Sequence, residues 1–223
     1  MAIVTVDFDG TLYQGNSFKA MFRAAQKDFG LTEWSIVAVG LAKAIALGIT
    51  KGKNAFRHAF FKAFAKSFKG KTSKQLDQFF FQLVEIGKKE VNHELVHKIR
   101  EHQRTGDTII VLSGALQPFL KAFTNSLELD VYIRSTTLKY DAQGVCTGEI
   151  GPLINGDEKV KKVQEFLANE KQQGKDSEYV ELWAYADSES DLPLFQFVQH
   201  PVVVNPNQAM KEIAKQHNWK IFA

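Results

Sequence analysis

The chain opens with Ala2-Ile3-Val4-Thr5-Val6-Asp7-Phe8-Asp9-Gly10-Thr11, a short β-rich run that ends on two carboxylates. A run of this length and composition reads as a buried strand. Side chains two apart on a strand share a face, so Asp7 and Asp9 flank one point where the strand runs out, the usual ligand crevice of an open α/β sheet. Two adjacent carboxylates are costly unless a cation or a proton compensates them. A divalent cation meets that need and also neutralises a phosphate. Gly10 permits a close turn, and Thr11 offers a hydroxyl and an amide to an anion. A polar strand end with an Asp-Gly turn is the competing reading, and this stretch alone does not separate the two.

Outward from it, residues Asn16 to Phe29, Thr32 to Leu47, Asn54 to Phe68 and Ser73 to Ile86 read as four helices punctuated by glycines. Eleven of the 18 Phe lie between Gln14 and Glu90, including Phe60, Phe61, Phe64 and Phe68, at the spacing of a bundle core. The rhythm then changes. Helical patterns at Asn92 to Arg104, Gln117 to Thr124, Asp157 to Asn169, Leu192 to Val198 and Gln208 to His217 alternate with strand patterns. The strands are Asp107 to Leu112, Val131 to Ser135, Tyr179 to Ala186, Pro201 to Val204 and Trp219 to Phe222, with a hairpin at Ser135 to Tyr140 and Gly144 to Ile150. This alternation predicts a mostly parallel sheet covered by helices on both faces, with the all-helical segment inserted as a cap after the first strand.

Three further places carry chemistry-bearing residues, two of them at strand ends. Ser113-Gly114 follows a strand, and a small hydroxyl beside a glycine suits a phosphate oxygen, though such a Ser is as often a turn or cap residue. Asp187-Ser188-Glu189-Ser190-Asp191 follows another, and oxygen-rich ligands there suit Mg²⁺, with Asp187 the better ligand and Asp191 ordering the cluster or capping a helix. Lys159, near the start of a helix, has an ammonium that would reach a phosphate and the carboxylates. Lys161 and Lys162 are its neighbours, and charge alone does not choose among the three.

A length of 223 residues allows one substantial core and a smaller accessory domain, and 44% hydrophobic with 24% charged residues is ordinary for a globular protein. The lone Cys146 excludes an intrachain disulfide framework and reads as a packing residue, in keeping with a reducing, cytoplasmic setting. The N-terminus has no signal-like pattern. Ser35 to Ile49 is shorter than the roughly 20 residues that span a bilayer and contains Lys43, so it reads as a well-buried helix, and membrane association is not expected. From Gln14 to Glu90 there are 14 Lys and Arg against 5 Asp and Glu, net +9, while the remainder is −6. Such asymmetry steers anionic substrates to the junction. Most of these lysines read as solvated helix faces, no nucleic-acid recognition module is present, and the sequence leaves the oligomeric state open.

Four segments together, Asp7-Phe8-Asp9-Gly10-Thr11-Leu12, Leu112-Ser113-Gly114, Gly156-Asp157-Glu158-Lys159-Val160 and Tyr185-Ala186-Asp187-Ser188-Glu189-Ser190-Asp191-Leu192-Pro193-Leu194, resemble the haloacid-dehalogenase-like superfamily. The resemblance is to its phosphoserine-phosphatase-like branch of subfamily IB hydrolases. It implies an α/β fold, a Rossmann-like parallel sheet in residues 1–13 and 88–223, with a four-helix-bundle-like cap of the C1 type in 14–87. It further implies Asp7 as nucleophile, Asp9 as general acid and then base, and Ser113, Gly114, Thr11 and Lys159 around the substrate phosphate. Mg²⁺ would be held by Asp7, the Asp9 carbonyl and Asp187, with Asp191 supporting. The implied activity is a Mg²⁺-dependent phosphomonoesterase working on a small phosphate monoester through an aspartyl-phosphate.

Departures from the pattern bear on the substrate. Tyr13-Gln14-Gly15-Asn16-Ser17 lacks the glutamate with which phosphoserine-specific relatives grip an ammonium, which disfavours phosphoserine. Asn16 and Ser17 are candidate contacts to a neutral or hydroxylated leaving group, or helix-capping residues; Arg57 is a candidate cap-side anion contact, or a solvated arginine. The alternatives are a phosphotransferase or lipid-phosphate phosphatase of the same chemistry, or a non-catalytic anion-binding protein.

Overall fold

The computed structural model describes residues 1–172 and 180–222. In chain order the elements are β1 (Ala2–Asp7), α1 (Ser17–Asp28), α2 (Leu31–Lys51), α3 (Lys53–Ser67), α4 (Ser73–Gly87), α5 (His93–Arg104), β2 (Thr108–Leu116), α6 (Gln117–Ser126) and β3 (Tyr132–Thr136). They continue with β4 (Leu138–Tyr140), β5 (Cys146–Ile150), α7 (Asp157–Gln172), β6 (Glu181–Ala186), α8 (Leu192–Phe197), β7 (His200–Val204), α9 (Gln208–Gln216) and β8 (Lys220–Phe222). Of the strand expected at 179–186, residue 179 lies outside the described residues.

Six strands form a parallel sheet in the order β3-β2-β1-β6-β7-β8, as the alternating pattern predicts. β1 is buried along its whole length. Its alternate residues feed two cores: Val4 and Val6 join one that continues into the inserted helices, and Ile3 joins another with Val163, Phe166, Leu194 and Met210 on the opposite face. Strand order reverses direction at β1, which has β2 on one side and β6 on the other, so the crevice at its carboxyl end is the topological switch point. Register brings the stations level: Asp7 pairs with Leu112, one residue before Ser113, and Val6 pairs with Tyr185, two before Asp187.

The four helices between β1 and β2 pack around phenylalanine. Phe60, Phe61, Phe64, Phe68, Phe79 and Phe80 are buried, and Phe18 stacks on Phe61 with centroids 5.0 Å apart, while Phe81 is 60% exposed. The chain leaves for this segment and returns from it side by side: the Gln14 N–H donates to the Glu90 carbonyl at 2.7 Å and the Asn92 N–H to that of Leu12 at 3.0 Å.

Four expectations are corrected. The apolar helix is longer than its predicted 32–47 span, running through Gly48 to Lys51 and stopping at Gly52, whose φ of 86° suits only glycine. Far from being well buried, it buries only Val37 and Ala44, and Leu31, Val39 and Ile49 are 92%, 74% and 82% exposed. Ser113-Gly114 is not a loop after the strand but lies within β2, where the pairing with β3 shifts register between Ser113 and Leu116. The hairpin begins at Leu138, since Ser135 and Thr136 belong to β3. Its strands stand apart from the large sheet, and Gly70 donates to the Cys146 carbonyl and Cys146 to that of Lys71, both at 2.9 Å. The 88–223 boundary therefore groups with the sheet a hairpin whose backbone is tied to the helical segment.

Candidate active site

Four chain segments converge at the carboxyl end of β1. Lys159, in the first turn of α7 and only 2% exposed, bridges two carboxylates, with Nζ 2.6 Å from Asp7 Oδ1 and 2.5 Å from Asp191 Oδ1. Ser188 Oγ donates to the other oxygen of Asp191 at 3.1 Å. Oxygens of Asp7, Asp187 and Asp191 lie within 4.8 Å of one another. Gly10, at φ 83°, turns the chain where any Cβ would overlap the Asp187 carboxylate, so this glycine makes room for that group.

One ammonium thus faces three carboxylates, and the electrostatics follow. Burial pushes the Asp7 carboxyl up to about 8, with Asp191 and Asp187 adding to it against the pull of Lys159. Burial and Asp191 push Asp187 up to about 6. Burial alone would lower the Lys159 ammonium, but Asp191 and Asp7 hold it above the ordinary lysine range. The excess of negative charge and the all-oxygen donors fit a hard divalent cation, which Asp7, Asp187 and Asp191 could hold. Asp191, expected only in support, is thus close enough to be a ligand as well as the partner of Lys159.

Asp9 lines the same cavity but is not part of this close group of oxygens. Its Oδ1 accepts from the Ser17 N–H at 2.8 Å and the Ser17 hydroxyl at 2.7 Å, and neither of these bonds uses Oδ2. Burial raises its carboxyl, partly offset by Ser17 and by Arg57. Asp7, Asp9, Ser113, Gly114, Lys159, Asp187 and Asp191 line one cavity of about 180 Å³, together with Asn16 and Arg57. Ser113 Oγ accepts from the Ala115 N–H at 3.1 Å, which leaves the serine proton to be donated.

Two candidates fall elsewhere. Thr11 is fully buried outside the cavity lining: its amide donates to the Phe8 carbonyl at 3.3 Å and its hydroxyl faces Asp7 Oδ2 at 3.4 Å, so it supports the nucleophile candidate and has no face on the cavity. Ser17 is likewise buried and spent on Asp9, while Asn16 lines the cavity and also caps α1, accepting from the amides of Phe18 and Lys19. The sequence reading omitted Phe18, Phe61 and Asn155 from the lining. Phe61 lies one helical turn after Arg57, a spacing that puts both on one face of α3 and could have paired them. Asn155 Nδ2 donates to Asn54 Oδ1 at 2.8 Å, tying the start of α3 to the cavity rim.

Comparison with known proteins places these features. The family model for haloacid dehalogenase-like hydrolases matches residues 4–196. A probable phosphatase of Mycobacterium tuberculosis is 26% identical over 130 residues, 58% of this chain and 43% of that protein; the chain spans under half the length of the curated relatives it matches. Among solved structures, a Bordetella pertussis protein of unknown function superposes with a TM-score of 0.82 at 19% identity, covering 100% of this chain and 98% of that one. A probable phosphoserine phosphatase from Vibrio cholerae gives 0.64 at 18% identity, covering 95% of this chain and 58% of that one. At such identities the likeness is one of fold.

Proposed function

Because this chain belongs to the haloacid dehalogenase-like hydrolase family, we propose that it is a Mg²⁺-dependent phosphatase of small phosphate monoesters that works through an aspartyl-phosphate on Asp7. The observation that carries the reading is Lys159, buried between Asp7 and Asp191 in the same cavity as Asp9, Ser113 and Asp187. That arrangement supplies a nucleophile, an acid/base and an anion-binding set within one enclosure.

In the proposed first half, an Asp7 carboxylate oxygen attacks phosphorus, the bond from phosphorus to the ester oxygen breaks, and Asp9 gives its proton to the departing alkoxide. In the second, Asp9 takes a proton from water as that water attacks phosphorus, and the Asp7 carboxylate leaves, releasing inorganic phosphate. The raised Asp9 carboxyl suits a group that must be an acid first and a base afterwards. Lys159 and the Ser113 hydroxyl bear on the phosphoryl oxygens as charge builds there. Mg²⁺, when bound by Asp7, Asp187 and Asp191, would supply charge neutralisation at the same oxygens.

The leaving-group side is lined by Asn16, Phe18, Arg57 and Phe61. No acidic side chain from the described residues of the inserted helices lines it, which supports the disfavouring of phosphoserine. Arg57 favours a leaving group with an anionic or oxygen-rich part. Phosphate release from an aryl phosphate, with and without Mg²⁺, tests the reading: Asp7→Asn is expected to lower kcat by about 10³-fold or more while its circular dichroism is unchanged. A folded Asp7→Asn protein as fast as the wild type would overturn it.

A further inference from the structure

We propose that the outer face of α2 is a docking surface for an anionic lipid bilayer. At 100° per residue, Leu31, Ser35, Ala38, Val39, Ala42, Ile45, Ala46 and Ile49 fall on one arc of about 120°, and all of them are exposed. The opposite side carries the buried Val37 and Ala44, with Gly40 so close to Ala63 of α3 that any Cβ would collide. α2 is therefore amphipathic in an unusual sense: one apolar side serves the protein and the other has no partner among the described residues. It is long and apolar enough to cross a membrane by length and composition. Yet it is clamped along its length to α3, which carries Lys53, Arg57, Lys62 and Lys66, and such a hairpin lies along an interface instead of crossing it.

Charge selects the occupant. From Leu31 to Ser67 there are six Lys and Arg against the single acid Glu33, which is itself paired with Lys71 at 3.3 Å. Lys43, on the edge of the apolar arc, and Lys51 and Lys53, at the α2–α3 turn, are exposed and have no ion-pair partner among the described residues. A second copy of the chain would bring the same hairpin, with six cations against one acid, against itself, because a two-fold interface places like on like. An anionic bilayer surface complements those cations and receives the apolar arc. The turn also leads within one helical turn to Asn54 and Arg57, at the rim and wall of the cavity, so docking would set the cavity mouth beside the headgroups.

This inference does not rest on the catalytic reading, and binding is read without turnover. The full chain is floated with vesicles of phosphatidylcholine alone and of phosphatidylcholine mixed with phosphatidylglycerol, and its mass in solution is measured by light scattering. The wild type is expected to float with the mixed vesicles only and to be released by high salt. A folded Val39→Asn, Ile45→Asn, Ile49→Asn variant should bind them at least about tenfold more weakly, with hydrolysis of a soluble aryl phosphate unchanged. Wild type that stays in solution, or a variant that floats as well, overturns the proposal. A wild-type dimer that the same variant breaks into monomers assigns the face to a second copy and overturns it too.

Discussion

Asp7 shares one ammonium with two other carboxylates, and its pH behaviour follows from that. Its folded value, pushed up to about 8 chiefly by burial, lies above the ordinary 3.8. A group raised in this way contributes stability that is present at low pH and is lost as pH rises through the folded value. Mg²⁺ competes with that proton. The rise in Tm at a fixed Mg²⁺ concentration is therefore expected to be larger at about pH 8 than at about pH 6; equal shifts would remove Asp7 from the cation's ligands. Ser17 gives Asp9 two donors, and Ser17→Ala deletes the hydroxyl one. The Asp9 carboxyl should rise further, moving the pH profile of kcat to higher pH at a stability cost of about 1 kcal/mol; an unmoved profile would assign that limb to another group. Asp7 is legible as a strand-end carboxylate that needs compensation, but its close carboxylate neighbours are Asp187 and Asp191, whereas Asp9 lies past the end of β1 and accepts from Ser17. Lys159 was not separable from Lys161 and Lys162 by charge, since only the phase of α7 against the sheet buries the first and leaves Lys161 with Glu158 and Lys162 with Glu165.

At the scale of elements, the α2–α3 hairpin shows why composition misled. An apolar run has the same residues whether it enters a core or lies on a surface, and nothing local says which. What the sequence does hold is glycine at the contact: Gly40 lies against Ala63 and Gly48 against Phe56. In an open helix, Gly→Ala is expected to stabilise by about 0.5–1 kcal/mol. Gly40→Ala should instead destabilise, by about 1–3 kcal/mol from overpacking, because its new methyl meets Ala63. Urea unfolding measures the sign directly, and stabilisation would mean that α2 and α3 do not meet closely at Gly40 and Ala63. The sheet strands were read nearly to their ends, as buried β-branched runs between turn residues. The Ser113–Leu116 extension of β2 was missed because a register shift with β3 sustains it, and that pairing is non-local.

Across the molecule, one polar chain links distant parts of the sheet. The Asp107 carboxylate accepts from the Ala2 N–H at 2.7 Å and lies 2.9 Å from His102 Nδ1, while His102 Nε2 lies 3.1 Å from the Tyr185 hydroxyl. Burial would raise the Asp107 carboxyl, but the bonds from His102, Ala2 and Thr105 outweigh it and hold it below the ordinary range. A depressed carboxylate contributes stability above its unfolded value that is lost as pH falls through the folded one. Asp107→Asn should thus cost about 1–3 kcal/mol at neutral pH, with the gap to wild type narrowing in acid; a gap independent of pH would point to packing alone. The two crossings at Gln14 and Glu90 have a consequence of another kind. Since the outgoing and returning chains are hydrogen-bonded neighbours, the sheet sees the whole helical insertion as a short hairpin, whatever its length. An insertion rooted this way can be exchanged over evolutionary time, or by grafting, with Asp7, Lys159 and Asp191 left in place beneath a new roof.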